Sequence, residues 1–320
     1  MHGHYFFKKW FFDILTPGRD YIFLYFAFVN FFGKKVGTLD ITVTNIRGDP
    51  TLRRSIPVDF PAAIGHRPPS DIEESSFGLI EVRDGIREIR VNAPGLLVDL
   101  TLVPRTQSDL APLEIVPGRK SRISWKPLVL SGLASGRVIV GTQEFAFDNA
   151  AGYEDYLFSN VLPFMVPISD LQWGRIHHER LNIAYTSAAG PKEGTVWTKA
   201  YMEEGKKLIE ISNLSIRRIS SRNCSGLQFS CPEAYEIKGD ANGSVLTIRL
   251  DHISDAAVST FLDTDSVSGS LQRWLVRKLS RDPRGVKSFA KASVKLTGTA
   301  GILSVDDILC IDEYVRFGFF

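Results

Sequence analysis

The chain has 320 residues, 44% of them hydrophobic, enough to fill one large core or two smaller ones. With 38 basic against 36 acidic residues its net charge is +2, and it lacks a long basic block or aromatic-interleaved basic motif, which argues against nucleic acid as a partner. Its three cysteines, Cys224, Cys231 and Cys310, are too few for a disulfide scaffold and are expected as buried thiols in a reducing compartment, the cytoplasm.

From the N-terminus, Trp10, Phe11, Phe12 and Asp13 form a strand-like opening, followed by the apolar run from Tyr21 to Phe32, which includes Tyr25. That run resembles a leader or membrane segment, but it is well short of the roughly 20 residues that a spanning helix needs. Arg19 and Asp20 precede it, no small-residue cleavage motif follows, and its aromatics suit a strand buried on both faces. Next, Leu39, Ile41 and Val43 alternate with Thr38, Asp40, Thr42 and Thr44, the period of a half-buried strand. The stretch from Gly48 to Ser76 carries Pro50, Pro57, Pro61, Pro68 and Pro69 and little periodicity. It reads as a long loop, either a lid over a barrel mouth or an inert excursion.

Beyond it the alternation resumes. Segments 86–91, 96–102, 137–140, 143–147, 173–185, 196–202, 207–219 and 246–250 read as strands, separated by breakers such as Gly85, Asn92, Gly95, Gly141 and Gly205. Strands this numerous, without alternating helices, favour antiparallel barrels or sandwiches over a parallel α/β sheet. One helix is predicted, in which Leu271, Trp274, Leu275 and Leu279 share a face, Ser268 or Ser270 caps the start and Asp282 with Pro283 ends it. Arg273, Arg277, Lys278 and Arg281 make its other face basic, fit for solvent or, at most, peripheral contact with an anionic membrane.

Several catalytic signatures are missing. No Gly-x-Gly-x-x-Gly or phosphate loop occurs, so no nucleotide cofactor is expected. His178 and Glu179 begin like a zinc-protease motif, but Asn182 stands where the second histidine belongs, and no metal site is expected. No nucleophile elbow occurs, and Ser288 to Lys291 matches a Ser-x-x-Lys pattern without its partner motifs. Asn213, Asn223 and Asn242 begin glycosylation patterns that matter only in a secreted chain.

What remains is a cluster. Glu154, Asp155 and Tyr156 adjoin one another in a turn-rich stretch, and Trp173 and Arg175, two positions apart on a strand, face the same way. Two readings stand. Either Glu154 or Asp155 pairs with Arg175 and locks the loop, or a carboxyl group with its pKa raised by apolar surroundings donates a proton or hydrogen bond, with Tyr156 as a second donor. Asp13 is likewise a strand anchor or a polar group of a pocket. The 21 Phe, 9 Tyr and 5 Trp fill barrel walls and leave some rings to face an apolar, conjugated ligand.

Taken in order, Trp10 to Asp13, the strand Val98 to Pro104, the run Phe145 to Tyr156 and the segment Leu171 to Arg175 resemble the hydroxyneurosporene synthase (carotenoid 1,2-hydratase), AttH-like and lipocalin-type Diels-Alderase superfamily. Relatives read Gly-Tyr-His-Asp-His where this chain has Gly152, Tyr153, Glu154, Asp155 and Tyr156. Tyr153 and Asp155 therefore carry over, as do Trp173, Gly174 and Arg175, while any role resting on imidazole does not. The resemblance implies an all-β fold of two lipocalin-like antiparallel β-barrels in tandem, with one or two short helices. The domains are placed at 1–220 and 221–320, the second smaller, with the break before the turn from Ser220 to Cys224.

It also implies a hydrophobic small-molecule substrate and no cofactor. Three functions are open: a cofactor-independent [4+2] cyclase that encloses and pre-folds a polyene of specialised metabolism, an isoprenoid hydratase or isomerase working through a carboxylic acid, and a non-catalytic carrier of an apolar ligand. For the cyclase, Glu154, Asp155 and Tyr156 are the expected catalytic residues. Trp10, Asp13, Tyr25, Tyr153, Trp173 and Arg175 are the expected substrate-binding residues. Oligomeric state is not legible in the sequence.

Overall fold

The alternating segments fold as antiparallel hairpins. The computed structural model describes residues 5–47, 51–58, 72–74, 78–106, 110–118, 120–162, 165–224, 229–260, 283–299 and 301–317. They divide into two units, Met1–Val161 and Leu162–Phe320.

The first unit holds β1 (Tyr5–Leu15), β2 (Asp20–Phe31), β3 (Lys34–Asn45), β4 (Leu52–Val58), β5 (Ile72–Glu74) and β6 (Gly78–Arg83). It continues with β7 (Ile86–Ala93), β8 (Leu96–Pro104), β9 (Leu113–Gly118), β10 (Ser121–Val140) and β11 (Gln143–Ser159). Together they make one 11-stranded sheet in the order β4-β3-β2-β1-β11-β10-β8-β7-β6-β5, with β9 beside β10. The apolar N-terminal run is thus β2, a sheet strand, and β1 lies between β2 and the last strand of the unit. One core cluster draws on both arms of this sheet, from Trp10, Phe12 and Ile14 through Leu39, Ile41 and Val43 to Ile89, Val98 and Leu100. Among the described residues no helix is long and apolar enough to cross a membrane.

The second unit is a closed barrel. Its strands are β12 (Asp170–His177), β13 (Leu181–Ala189), β14 (Val196–Glu204), β15 (Lys207–Asn223), β16 (Ser230–Ala241), β17 (Ser244–Thr260), β18 (Arg284–Gly298) and β19 (Gly301–Arg316). Ile183, Ile237, Leu246, Ile248, Leu250 and Ala292 fill its core. Closure leaves no strand edge to protect, which is what full antiparallel closure achieves.

The structure corrects several expectations. The break placed at residue 220 falls inside β15, whose Ser220 and Ser221 pair with Ala234 and Pro232 of β16. Both strands belong to the barrel, which begins with β12 rather than after residue 220. The single strand expected over 173–185 is two, because the chain turns at His178, whose N–H donates to the Leu181 carbonyl at 3.1 Å. Part of the proline-rich stretch is strand β4, paired with β3 from Leu52 to Val58. The rest, 48–50, 59–71 and 75–76, lies outside the described residues apart from Thr51 and β5, and so does the predicted helix with its basic face. Cys224 and Cys231 are joined in a disulfide, where buried thiols were expected. Only Cys310 is a free, buried thiol, so the cysteine count no longer argues for a reducing compartment.

Close packing at one glycine pair sets up the region around Glu154. Gly132 of β10 and Gly152 of β11 lie opposite each other. A Cβ at either would meet the Leu102 Cδ1 methyl, at 2.6 Å and 2.5 Å respectively. Leu102 therefore occupies the space that two side chains would take. Replacing Gly152 with Ala should destabilise the protein by about 1–3 kcal/mol, as overpacking does. The midpoint of urea unfolding should fall with an unchanged slope.

Candidate functional site

The stretch containing Glu154, Asp155 and Tyr156 is not a loop. All three lie in β11, paired on one side with β1 (Phe12 opposite Glu154, Phe11 opposite Asp155, Trp10 opposite Tyr156) and on the other with β10. Successive side chains on a strand point to opposite faces, so the three cannot meet one ligand from one side. Glu154 and Tyr156 share the face of Trp10, Phe12 and Phe158, the core side of the first unit. Asp155 shares the other face with Tyr153.

On the core face Trp10 is wholly buried, and its ring lies 5.0 Å from that of Tyr156 and 5.7 Å from that of Phe28. Phe12 packs edge-on to Phe26. The Trp10 Nε1 donor is buried and, among the described residues, meets no hydrogen-bond acceptor. An indole N–H in that position carries a desolvation cost that a ligand acceptor would remove. Lys8, also buried, occupies the same face of β1 two positions before Trp10.

Glu154 is 1% exposed, and its Oε2 accepts a hydrogen bond from Arg87 Nε at 2.6 Å. Arg87 shares the inward face of β7 with Ile89 and Val91, and it also donates to the Gly85 carbonyl. Burial holds the Glu154 carboxyl above the usual carboxylate range; Arg87 pulls it back by charge and hydrogen bond, and Asp155 pushes it slightly further up. Glu154 therefore has its ion-pair partner within its own unit, in Arg87, a residue the sequence reading did not single out. Arg87 was missed because the hairpin pattern of residues 83–91 gives no sign that one of its several charges turns inward.

The opposite face of the same strands is also buried. Asp155 Oδ2 accepts from Trp125 Nε1 at 3.1 Å and from the Tyr153 hydroxyl at 3.1 Å, a hydrogen-bonded anchor that joins β10 to β11. Tyr153 and Asp13 are fully buried. Phe11 packs against Tyr25, Phe23 and Tyr153, with the Lys9 ammonium over the Phe11 and Tyr25 rings. Asp13, Tyr25, Tyr153 and Asp155 thus form a group separate from Trp10, Glu154 and Tyr156.

Trp173 and Arg175 belong to the second unit. They share a face of β12, as expected, but it is the face opposite the inward Ile176. Both are buried, and the Lys287 ammonium lies 5.8 Å from the Trp173 ring centre. His177 pairs through Nδ1 with Asn182 Oδ1 at 3.0 Å, so the residue that breaks the zinc-protease pattern is the one that holds the ring. Among the described residues no group of three or more His, Cys, Asp and Glu is placed to hold a metal ion.

No family model matches the chain, and no curated protein sequence does. Solved structures do. CghA, crystallised alone and with Sch210972, aligns over 98% of this chain and 89% of its own, with TM-scores of 0.67 and 0.66 at 13% identity. Kievitone hydratase from Nectria haematococca aligns over 99% and 90%, with a TM-score of 0.59 at 12% identity. An AttH-type protein from Nitrosomonas europaea aligns over 99% and 93%, with a TM-score of 0.60 at 10% identity. The likeness is one of fold, and it is the lipocalin-like fold that the sequence resemblance implies.

The Glu154–Arg87 pair makes a testable demand. An unfolded chain gives up the Glu154 proton in the ordinary carboxylate range, below the folded value, so this group's contribution to stability falls as pH rises from that range through the folded value. Glu154→Gln should flatten that part of the stability profile. Arg87→Met, which leaves the carboxyl buried without its cation, should cost about 3 kcal/mol near neutral pH and steepen the fall. Urea titrations of both variants across pH measure this.

Proposed function

We propose that the protein is a cofactor-independent cyclase that encloses a hydrophobic polyene in the interior of the first unit and closes it by a [4+2] reaction. The observation that carries this reading is the buried Trp10 N–H, which meets no acceptor among the described residues, in an aromatic wall beside Tyr156 and on the same face as Glu154. A pericyclic closure needs little proton transfer. It needs a flexible chain held in its reactive shape and an electron-poor dienophile. Rings of Trp10, Phe12, Phe28 and Tyr156 give the chain flat apolar surfaces, and the Trp10 N–H donates to a dienophile carbonyl. Restricting the rotors and adding one such hydrogen bond supply on the order of 4–8 kcal/mol, a thousand- to a million-fold in rate.

The ion pair has a positioning role in this scheme. Arg87 fixes Glu154 against the interior, so the polar end of the site keeps one orientation while the apolar wall accepts the chain. Asp155 no longer counts among the groups that reach the substrate, because the pleat sends it to the other face. A hydratase reading is favoured by a different observation, the raised proton affinity of the Glu154 carboxyl, which suits an acid that protonates a double bond. One structural neighbour, kievitone hydratase, is named for such an activity.

The two readings part on product mass. Incubated with a linear polyene bearing a conjugated carbonyl, the protein should yield a cyclised isomer of unchanged mass, whereas hydration adds one water. Trp10→Phe, which keeps an aromatic wall but deletes the N–H, should lower the cyclisation rate about 10- to 100-fold, the worth of one hydrogen bond. Glu154→Gln should change it much less. A rate that collapses in Glu154→Gln with water added to the product would establish the hydratase instead. Saturable binding without turnover would leave only a carrier.

A further inference from the structure

Two features of the second unit stand outside the reading above, a disulfide and a set of asparagines. Cys224, just after β15, and Cys231, near the start of β16, are joined across neighbouring strands with their Cα atoms 5.9 Å apart. Both are buried, and they cluster with Val286, Tyr314 and Phe229. Such a bond forms and persists in oxidising surroundings and is rare where a thiol buffer keeps cysteines reduced. A metal-binding use of the pair has no support, since among the described residues no group of three or more His, Cys, Asp and Glu is placed to hold an ion.

The chain has nine asparagines, and three of them, Asn213, Asn223 and Asn242, have serine two positions on with no proline between, the acceptor pattern for N-linked sugar. All three lie in the unit that holds the disulfide, and none of the five in the first unit has Ser or Thr there. Asn213 sits at a β-bulge. Ile211 belongs to the barrel core and Leu214 packs against it, a spacing of three that regular alternation forbids. The register with β16 slips between Ser212 and Ser215, so Ser212 and Asn213 are both exposed. Asn242 and Gly243, also exposed, form the two-residue turn from β16 to β17, closed by the pair Ala241 and Ser244. The backbone φ is 50° at Asn213 and 47° at Asn242, the left-handed region in which asparagine is enriched. Backbone geometry thus accounts for both asparagines, but it asks nothing of the residue two positions later, where each has a serine.

We propose that Asn213 and Asn242 carry N-linked oligosaccharides, acquired in the oxidising export compartment in which Cys224 and Cys231 pair, in place of the cytoplasm expected from the cysteine count. Each asparagine Nδ2 bonds to the anomeric carbon of a lipid-diphosphate-linked oligosaccharide and gives up one proton as the lipid diphosphate leaves. The two thiols give two electrons and two protons to a disulfide-bearing oxidoreductase, which becomes a dithiol. The folded barrel has room for both sugars. Asn213 Nδ2 donates to Asp240 Oδ2 at 2.6 Å, and the substituted amide keeps one N–H for that bond. Ser212 pairs with Asp240 and Arg222 with Cys231, so the sugars stand at one end of β16 and the disulfide at the other. Asn223 is left out of the assignment: it pairs with Ser230 beside the disulfide, and the middle residue of its triplet is Cys224, so closing the bond and modifying the asparagine compete.

Full-length protein isolated from the cells that make it, denatured and alkylated without reduction, tests this by mass spectrometry. The expected result is a single alkylated thiol, at Cys310, and conversion of Asn213 and Asn242 to aspartate when a peptide N-glycosidase acts in heavy-oxygen water. Ser215→Ala and Ser244→Ala, made in the same cells, keep the turn-forming asparagines, and each should lose the sugar at its own site alone. Three alkylated thiols, both asparagines recovered as free amides, or sugar retained at the site in either serine variant would overturn the proposal. None of these outcomes bears on the interior of the first unit.

Discussion

A carboxyl group in an apolar interior is the constraint around which the first unit is arranged. Glu154 faces the same core as Trp10, Phe12 and Phe158, where an isolated carboxylate would cost far more than a hydrogen bond returns. Arg87, reaching in from β7, makes the position tenable at 2.6 Å. That pair ties strands on separate arms of one sheet, β11 next to β1 and β7 between β6 and β8, across their common core. Natural cores that keep such a pair in place of two hydrophobic side chains gain little stability by it.

The pleat sorts everything else. Because β1, β2 and β11 are buried on both faces, each strand carries two sets of buried side chains with separate duties. One set, Trp10, Glu154 and Tyr156, lines the core of the unit. The other, Asp155 with Trp125 and Tyr153, is a hydrogen-bonded group whose carboxylate accepts from both of these neighbours. Held in this way, the carboxylate anchors β10 to β11. The second unit repeats the logic with different residues: Gln172, Gly174 and Ile176 turn toward the barrel interior, and Trp173 and Arg175 turn away.

Legibility in the sequence followed physical range. Period-two alternation placed Leu39, Ile41 and Val43, Leu96 to Leu102 and Leu246 to Leu250 on buried faces, and all of them are in the cores. The all-β class was legible for the same reason, whereas the lipocalin-like fold came from the resemblance; of the two barrels expected, the second unit is a closed barrel and the first an 11-stranded sheet. What depends on distant pairing was not legible. Arg87 is 67 residues from Glu154, and nothing local distinguishes it from Arg83 or Arg90. The unit boundary was misplaced because Ser220 to Cys224 has turn-like composition, yet cross-strand pairing with β16 keeps Ser220 to Asn223 extended. Glu154 to Tyr156 were read as loop because Gly152 and the flanking Asn and Ala residues weaken strand propensity locally, and the sheet on both sides overrides it.

The central claim is that the core face of β1 and β11 receives the ligand. The most direct measurement is a crystal structure of the protein with a conjugated carbonyl polyene bound. The account predicts the chain lying against the rings of Trp10 and Tyr156, with its carbonyl oxygen within hydrogen-bond distance of Trp10 Nε1. A ligand seated instead on the face of Asp155 and Tyr153, with the Trp10 side of the sheet packed solid, would contradict it.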